Sequence, residues 1–319
     1  MNPFQPLYDQ CNTGTSADKY ANLPAFPKII DVEVTSACNF RCLMCPTGNL
    51  SLKRPAGFMD KPTWHSILCS CPEGTGIRFI GWGEPLLHPR IVDWVNDASA
   101  EGLLTHINTN GSKMDGGAVR ALLAANLSSL KFSFQGVDRK SYAEMRNTDY
   151  FDELLAKVQM VKELRGTRPY PYLHISTSIT YESADQVAAF RERAAQLADS
   201  VTIGRTTWDY FDSRAARLRP HELARLEELK ALSTDKRRHP SPCPEVFDKL
   251  SIHYDGSVRV CCNDHSGETY LGNVNETPLS EIWRHPDMEA YRARLAANEY
   301  GGPLCGSCYD YADLTAGSA

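Results

Sequence analysis

No apolar run in this sequence approaches the roughly 20 residues that span a bilayer, so no transmembrane helix is expected. The opening Met1-Asn2-Pro3-Phe4-Gln5 lacks the basic and apolar regions of a secretory signal, and a cytoplasmic protein is expected. Neither sign of charge dominates: 34 Lys+Arg face 39 Asp+Glu, for a formal net charge of -5. That balance argues against an electrostatically driven nucleic-acid binder. A hydrophobic content of 42% argues against a disordered chain. Internal repeats and low-complexity tracts are missing too. Cysteine is absent between Cys71 and Cys243, yet the chain holds 11 of them. A reducing cytosol has little use for disulfides, so metal, catalysis or burial must explain that number. The thiols gather near the start and in the last quarter, which points to two sites on two structural units.

Strand and helix patterns alternate over the first two thirds. Ile29-Ile30-Asp31-Val32-Glu33-Val34-Thr35 is alternating and β-branched, a strand running straight into Cys38. Further strands are expected at 77–81, 106–109, 130–134, 173–179 and 200–203. Apolar residues at helical spacing predict helices over 89–100, 116–126, 151–165 and 184–198. Another follows Asp60, where Pro62 suits a first turn. Six strands alternating with helices imply an α/β fold of parallel units with right-handed crossovers, either doubly wound or a full or partial barrel. Polar and Gly-rich turns follow the strands, at the ends where such folds bind ligands. Over 206–242 an Arg-rich helix (219–232) gives way to a basic, Pro-flanked segment, read as a linker. Beyond it 250–254 and 257–261 flank Asp255-Gly256 as a β-hairpin. One amphipathic helix is expected over 278–297.

Cys38, Cys42 and Cys45 form C-x3-C-x2-C on a short loop after the first strand. Three thiolates fit three corners of a cubane cluster, which is normally held by four. The fourth iron is then open to chemistry. The competing reading is a structural zinc completed by His65 or His88. With Phe40 before the second cysteine, the motif resembles that of the radical S-adenosylmethionine (radical SAM) family. Gly81-Trp82-Gly83-Glu84-Pro85 resembles that family's Gly-Gly-Glu-Pro segment, with Trp82 in place of the first glycine. Thr109-Asn110-Gly111, Ser133-Phe134-Gln135-Gly136 and Tyr142-Ala143-Glu144-Met145-Arg146 lie where the family contacts SAM. The resemblance covers roughly 29–205, after an N-terminal extension (1–28), and implies a partial (β/α)6 TIM-type barrel. It implies a [4Fe-4S] cluster on Cys38, Cys42 and Cys45, and SAM contacts from Gly83, Glu84, Asn110, Ser133, Gln135 and Arg146. It also implies an electron donor such as flavodoxin or ferredoxin, and hydrogen abstraction from substrate by a 5′-deoxyadenosyl radical.

Cys243 and Cys261 bracket the hairpin as C-x12-G-x4-C, and Cys305-x2-Cys308 brings the set to four thiolates. Spacing alone allows a closed cluster or a structural zinc. With Leu271-Gly272-Asn273-Val274 and Ile282-Trp283, the tail (243–319) resembles the SPASM/twitch auxiliary region of radical SAM enzymes. That implies a small hairpin-and-helix domain with one auxiliary [4Fe-4S] cluster on Cys243, Cys261, Cys305 and Cys308. The further cysteines of a full SPASM region do not follow Cys308. As neighbours on an extended strand, Cys261 and Cys262 are expected to face apart. Cys262 is then either a buried filler or a thiol at the barrel mouth that donates a hydrogen atom. Cys11, Cys69 and Cys71 read as packing or incidental thiols.

The relatives this chain resembles act on aminocyclitols and aminoglycoside sugars, as dehydrogenases or epimerases. The 28 residues before the first strand are too few for the leader-binding domain of peptide-modifying relatives. Hydrogen abstraction from a sugar or aminocyclitol is therefore expected, with epimerisation through Cys262 ranked above oxidation of an alcohol to a ketone. Peptide modification and a non-catalytic iron–sulfur or zinc scaffold are the alternatives. Arg205, Asp209 and Tyr210 are candidates to assist deprotonation or to serve as substrate hydrogen-bond partners or linker residues, and Glu33, Asp209 and Asp212 are candidates to meet substrate ammonium groups.

Overall fold

The computed structural model describes residues 1–206, 208, 214–233, 243–300, 304 and 305. All six expected strands are present: β1 Ile29–Val32, β2 Gly76–Phe79, β3 Leu104–Thr109, β4 Ser129–Ser133, β5 Tyr172–Ile179 and β6 Ser200–Arg205. They pair in parallel and in sequence order. Helices Lys61–Ser70, Ile91–Ala100, Gly116–Ala124, Phe151–Arg165 and Ala184–Ala195 provide the crossovers. Three of them start on a side chain that the sequence supplies. Asp60, Asp115 and Ser183 each accept the backbone N–H three residues on, satisfying a donor the helix cannot.

Strand alternation gives the sheet two different faces. Ile30, Val32, Ile77, Phe79, Ile107, Phe132, Leu173 and Ile175 are fully buried on one face, beneath the helices. Each such side chain contributes roughly 1.5–3 kcal/mol by leaving water. The other face carries Asp31, Arg78, His106, Lys131, His174 and Thr202. Arg78 on β2 and Thr202 on β6 line one cavity, although a flat sheet would hold strands so far apart in order at about 19 Å. The sheet therefore curls with its polar face inward, as a partial barrel must.

The C-terminal strands extend the same sheet. β7 Lys249–Ile252 pairs parallel to β1, and β8 Ser257–Arg259 and β9 Gly272–Asn273 follow antiparallel, completing nine strands in the order β6-β5-β4-β3-β2-β1-β7-β8-β9. The Asp255-Gly256 hairpin falls where expected, with Gly256 at φ +82, a conformation that suits glycine. The single helix expected over 278–297 is two, Leu279–Ile282 and Pro286–Ala296. Pro286 lacks the N–H needed to continue a helix but is well suited to begin one. Helices Gln5–Cys11, Ser16–Ala21 and Arg139–Arg146 are additions to the expected elements. Lys19 and Lys28 bind Asp248 at 2.5 and 2.6 Å and tie the N-terminal segment to the start of β7. Among the described residues no helix is long and apolar enough to cross a membrane.

Candidate active site

At the C-terminal ends of β2 to β5 the inward face and the loops beyond it enclose a cavity of about 370 Å³. Cys38, Cys42 and Cys45 line it together with Gly83, Glu84, Asn110, Ser133, Gln135 and Arg146. The cysteine trio and every residue expected to contact SAM therefore meet around one space.

The trio sits on a loop folded against itself. Cys45 N–H donates to the Cys42 carbonyl at 3.1 Å, and Asn49 N–H to the Cys45 carbonyl at 2.8 Å. A Cβ on Gly48 would lie 2.3 Å from the Cys42 carbonyl oxygen, so the turn requires glycine. Burial pushes the Cys38 thiol up to about 12 and raises Cys45 as well. Arg146 is the cation beside them, with Nη1 3.5 Å from Cys42 Sγ and Nη2 2.5 Å from the Ser133 carbonyl. Clustered thiols that resist ionising alone fit a metal cluster, whose positive core supplies the missing charge. Neither histidine of the zinc reading lines this cavity. His88 commits one ring nitrogen to the Met59 carbonyl and the other to Arg90 N–H. His65 lies exposed, against Cys69.

The Gly81–Pro85 turn is pressed onto the same loop. A Cβ on Gly83 would lie 2.1 Å from the Thr35 carbonyl oxygen and 2.6 Å from that of Ala37. Glu84 N–H donates to the Ala37 carbonyl at 2.9 Å. The Glu84 carboxylate is buried and fully used. Thr109 hydroxyl reaches Oε1 at 2.7 Å, Leu86 N–H reaches it at 3.1 Å, and Asn110 N–H reaches Oε2 at 2.7 Å. Burial raises its pKa, and those donors act in the opposite direction. Glu84 is thus a strut that fixes the end of β3 against the turn. Asn110 Nδ2 then lies 4.0 Å from Cys38 Sγ.

Trp82 is anchored at four points. Its N–H donates to Glu33 Oε2 at 2.9 Å, and its carbonyl accepts the Thr47 hydroxyl at 2.6 Å. Its indole N–H donates to the Cys262 carbonyl at 3.0 Å, and its ring meets His265 edge-on at 5.3 Å. Arg54 closes the circuit, binding Glu33 through two 2.5 Å contacts and the His265 carbonyl at 2.8 Å. Glu33 is therefore committed inside the protein. The expectation that it meets a substrate ammonium group is corrected accordingly.

The second cysteine group also departs from expectation. β8 ends at Arg259 and the chain turns, with Asp264 N–H on the Cys261 carbonyl at 3.1 Å and Asn263 N–H on Cys261 Sγ at 3.4 Å. The extended strand that would send Cys261 and Cys262 to opposite faces is absent. Their sulfurs and a carboxylate oxygen of Glu245 lie within 4.8 Å of one another. Glu245 Oε1 binds Lys249 at 2.5 Å, while Oε2 is buried without a hydrogen-bond partner. Cys243 stands at the start of helix Pro244–Phe247, and its charge acts on Cys261. Thiols beside an unpartnered buried carboxylate oxygen fit a metal centre. Cys305 is half-buried. Cys308, Asp209, Tyr210 and Asp212 lie outside the described residues. Neither Cys262 nor Arg205, the last residue of β6, is among the residues lining the 370 Å³ cavity.

Residues 32–194 match the radical SAM superfamily, and the chain belongs to that family. Residues 243–309 match SPASM, an iron–sulfur cluster-binding domain. The chain is 24% identical to AdoMet-dependent heme synthase from Methanosarcina barkeri, over 91% of this chain and 90% of that protein. It is 25% identical to PqqA peptide cyclase from Xanthomonas euvesicatoria, over 88% and 80% of the two chains. Its fold is similar to that of BtrN in complex with AdoMet and 2-DOIA, with a TM-score of 0.56 at 17% identity, covering 88% of this chain and 92% of that one. The chain is a radical SAM enzyme that takes SAM and a [4Fe-4S] cluster, with auxiliary iron–sulfur binding in its C-terminal region.

Proposed function

We propose that Cys38, Cys42 and Cys45 hold the SAM-binding cluster, and that Gly83, Asn110, Ser133, Gln135 and Arg146 face SAM. Glu84 fixes the turn that shapes this pocket. The observation that carries the reading is the convergence of these residues on one cavity of about 370 Å³. When bound, cluster and SAM supply a 5′-deoxyadenosyl radical that takes a hydrogen atom from a substrate C–H bond. The chain's own part is to bind, orient and exclude water. Arg146 sets a positive charge beside Cys42, where a SAM carboxylate also needs one. Met44, Ile80 and Met145 give the cavity apolar walls.

The substrate class we favour is a sugar or aminocyclitol, with flavodoxin or ferredoxin as electron donor. Cys243, Cys261, Cys305 and Cys308 remain the proposed auxiliary ligands. For the substrate radical we favour oxidation of a secondary alcohol over inversion. The Cys262 thiol turns toward Cys261 and Glu245, which weighs against direct hydrogen donation into the upper cavity. Arg205 gains no support as a helper of deprotonation. Inversion keeps one supporting contact: Trp82, which lines the cavity, reaches Cys262 through its indole.

Anaerobic reconstitution with SAM and dithionite tests the reading. 5′-Deoxyadenosine is expected from the wild type and not from Cys42→Ala, and equal yields would overturn it. With candidate aminocyclitols in deuterated buffer, a ketone product supports oxidation. An inverted, deuterated carbon that disappears in Cys262→Ala would instead restore the thiol as donor.

A further inference from the structure

The polar inward face continues below the proposed SAM pocket. A second cavity, of about 420 Å³, is lined by Arg78, His106, Lys131, His174 and Thr202, with Tyr8 from the N-terminal helix. The two cavities share Ile80 and Asn108 as lining residues. Lys131 stands two residues before Ser133 on β4, hence about 7 Å nearer the N-terminal ends of the strands.

Charge in this lower chamber does not balance. Arg78 is held by Asp31 through contacts of 2.5 and 2.6 Å, and nearby Lys249 by Glu245 at 2.5 Å. His106 pairs its ring nitrogens with Ser129 Oγ at 2.9 Å and Asn108 Oδ1 at 2.7 Å, and His174 bonds Thr202 Oγ1 at 2.9 Å. Burial, aided by Arg78 and Lys131, pulls His106 down to about 3; burial and Lys131 pull His174 down to about 4, so both are neutral. Lys131 is left over. Lys131 lines the cavity and has no hydrogen-bond or ion-pair partner among the described residues. Burial, then repulsion from Arg78, draws it down to about 8 against the attraction of Asp31. The one negative charge that acts on it, Asp31, is already bound by Arg78, and an oxyanion in the cavity would give this ammonium a direct partner.

We propose that the lower chamber is an oxyanion site centred on Lys131, which takes the carboxylate or phosphate group of a small molecule. Lys131 Nζ supplies the charge and Tyr8 a neighbouring hydroxyl. The site stands independently of the reaction assigned above, because its test reads binding and not turnover. Anaerobically reconstituted enzyme is titrated with sodium phosphate and, separately, sodium acetate at fixed ionic strength and near-neutral pH. Calorimetry follows binding, and acylation of Lys131, read by peptide mass spectrometry, follows protection. The wild type is expected to bind at least one anion saturably and to protect Lys131. Lys131→Met should weaken binding about tenfold or more, with Lys131→Arg retaining it. Phosphate alone binding identifies a phosphate site, and acetate alone a carboxylate site. Absence of saturable binding by the wild type, or equal affinity in Lys131→Met, overturns the proposal. Should Lys131→Met not fold, protection of Lys131 in the wild type decides it.

Discussion

Replacing Trp82 by glycine removes the side chain that joins the Gly81–Pro85 turn to the turn after β8. The indole N–H bond to the Cys262 carbonyl, at 3.0 Å, is worth about 1 kcal/mol net. The edge-on ring pair with His265, at 5.3 Å, adds about 0.5–1.5 kcal/mol. Glycine also gives the unfolded chain freedom worth about 0.4–1 kcal/mol. The first two terms act on the turn itself and ease its opening by about 1.5–2.5 kcal/mol. Amide exchange across 261–269 reads local opening there, including the Glu268 and Thr269 amides that donate to Asp264 at 2.7 Å each. Opening eased by that amount raises exchange roughly 10- to 60-fold. Trp82→Phe keeps a ring against His265 and loses the N–H bond, so about fivefold is expected. The order Gly, then Phe, then wild type must hold at matched iron content. If Trp82→Gly exchanges like the wild type, or Phe like Gly, the indole does not hold the turn.

Gly83→Ala forces a methyl group to 2.1 Å from the Thr35 carbonyl oxygen. Shifting the turn costs about 1–3 kcal/mol, so SAM should bind about tenfold more weakly by equilibrium dialysis, and an unchanged Kd refutes this. His106 is pulled from 6.5 to about 3, by burial first and by neighbouring cations next. The unfolded chain therefore takes up the proton first: stability is full above pH 6.5 and declines as pH falls toward 3, by at most about 1.4 kcal/mol per pH unit. Denaturant unfolding of His106→Asn should show a flatter acid limb, and a slope equal to the wild type's would count against it. Arg292 is fully buried over Trp283, at 3.9 Å to the ring, and donates to the Val246 and Trp283 carbonyls at 2.8 and 2.7 Å. Arg292→Ala leaves both buried carbonyls without their donor and uncovers the Trp283 ring, which should cost about 2–4 kcal/mol by denaturant midpoint; less than about 1 kcal/mol would contradict the assignment.

Much of the fold was legible because it rests on local rules. Period-two alternation marks the six strands, Asp255-Gly256 marks the hairpin, and Asp60, Asp115 and Ser183 mark helix starts. The capping box of Thr15 and Asp18 is likewise a local signal, for helix Ser16–Ala21. The site was legible where one loop or strand end carries it, as in Cys38 to Cys45, Gly83 and Asn110. It was not legible where distant segments meet. Glu33 looks like a free carboxylate until Arg54 and Trp82 are placed against it. The direction of Cys262 depends on β8 stopping at Arg259, a boundary that alternation cannot fix to one residue. Lys131 is the subtlest case. Alternation puts it on the polar face of β4, but only curvature of the sheet tells whether that face meets water or a lumen.

That curvature also explains why a tryptophan stands where the family has glycine. β7 runs parallel to β1, and β8 returns antiparallel with Arg259 beside Ser251, which is itself in register with Asp31. Arg259 is thus level with Arg78, and the chain turns there. The turn that follows sets Cys261 and Cys262 beside Glu245. A glycine on that turn has no reach into the lumen. The indole spans the gap to the Cys262 carbonyl and does so while its own backbone stays clamped by Glu33 and Thr47. The pocket proposed for SAM, the auxiliary turn and the chamber around Lys131 thus occupy successive levels of one concave surface.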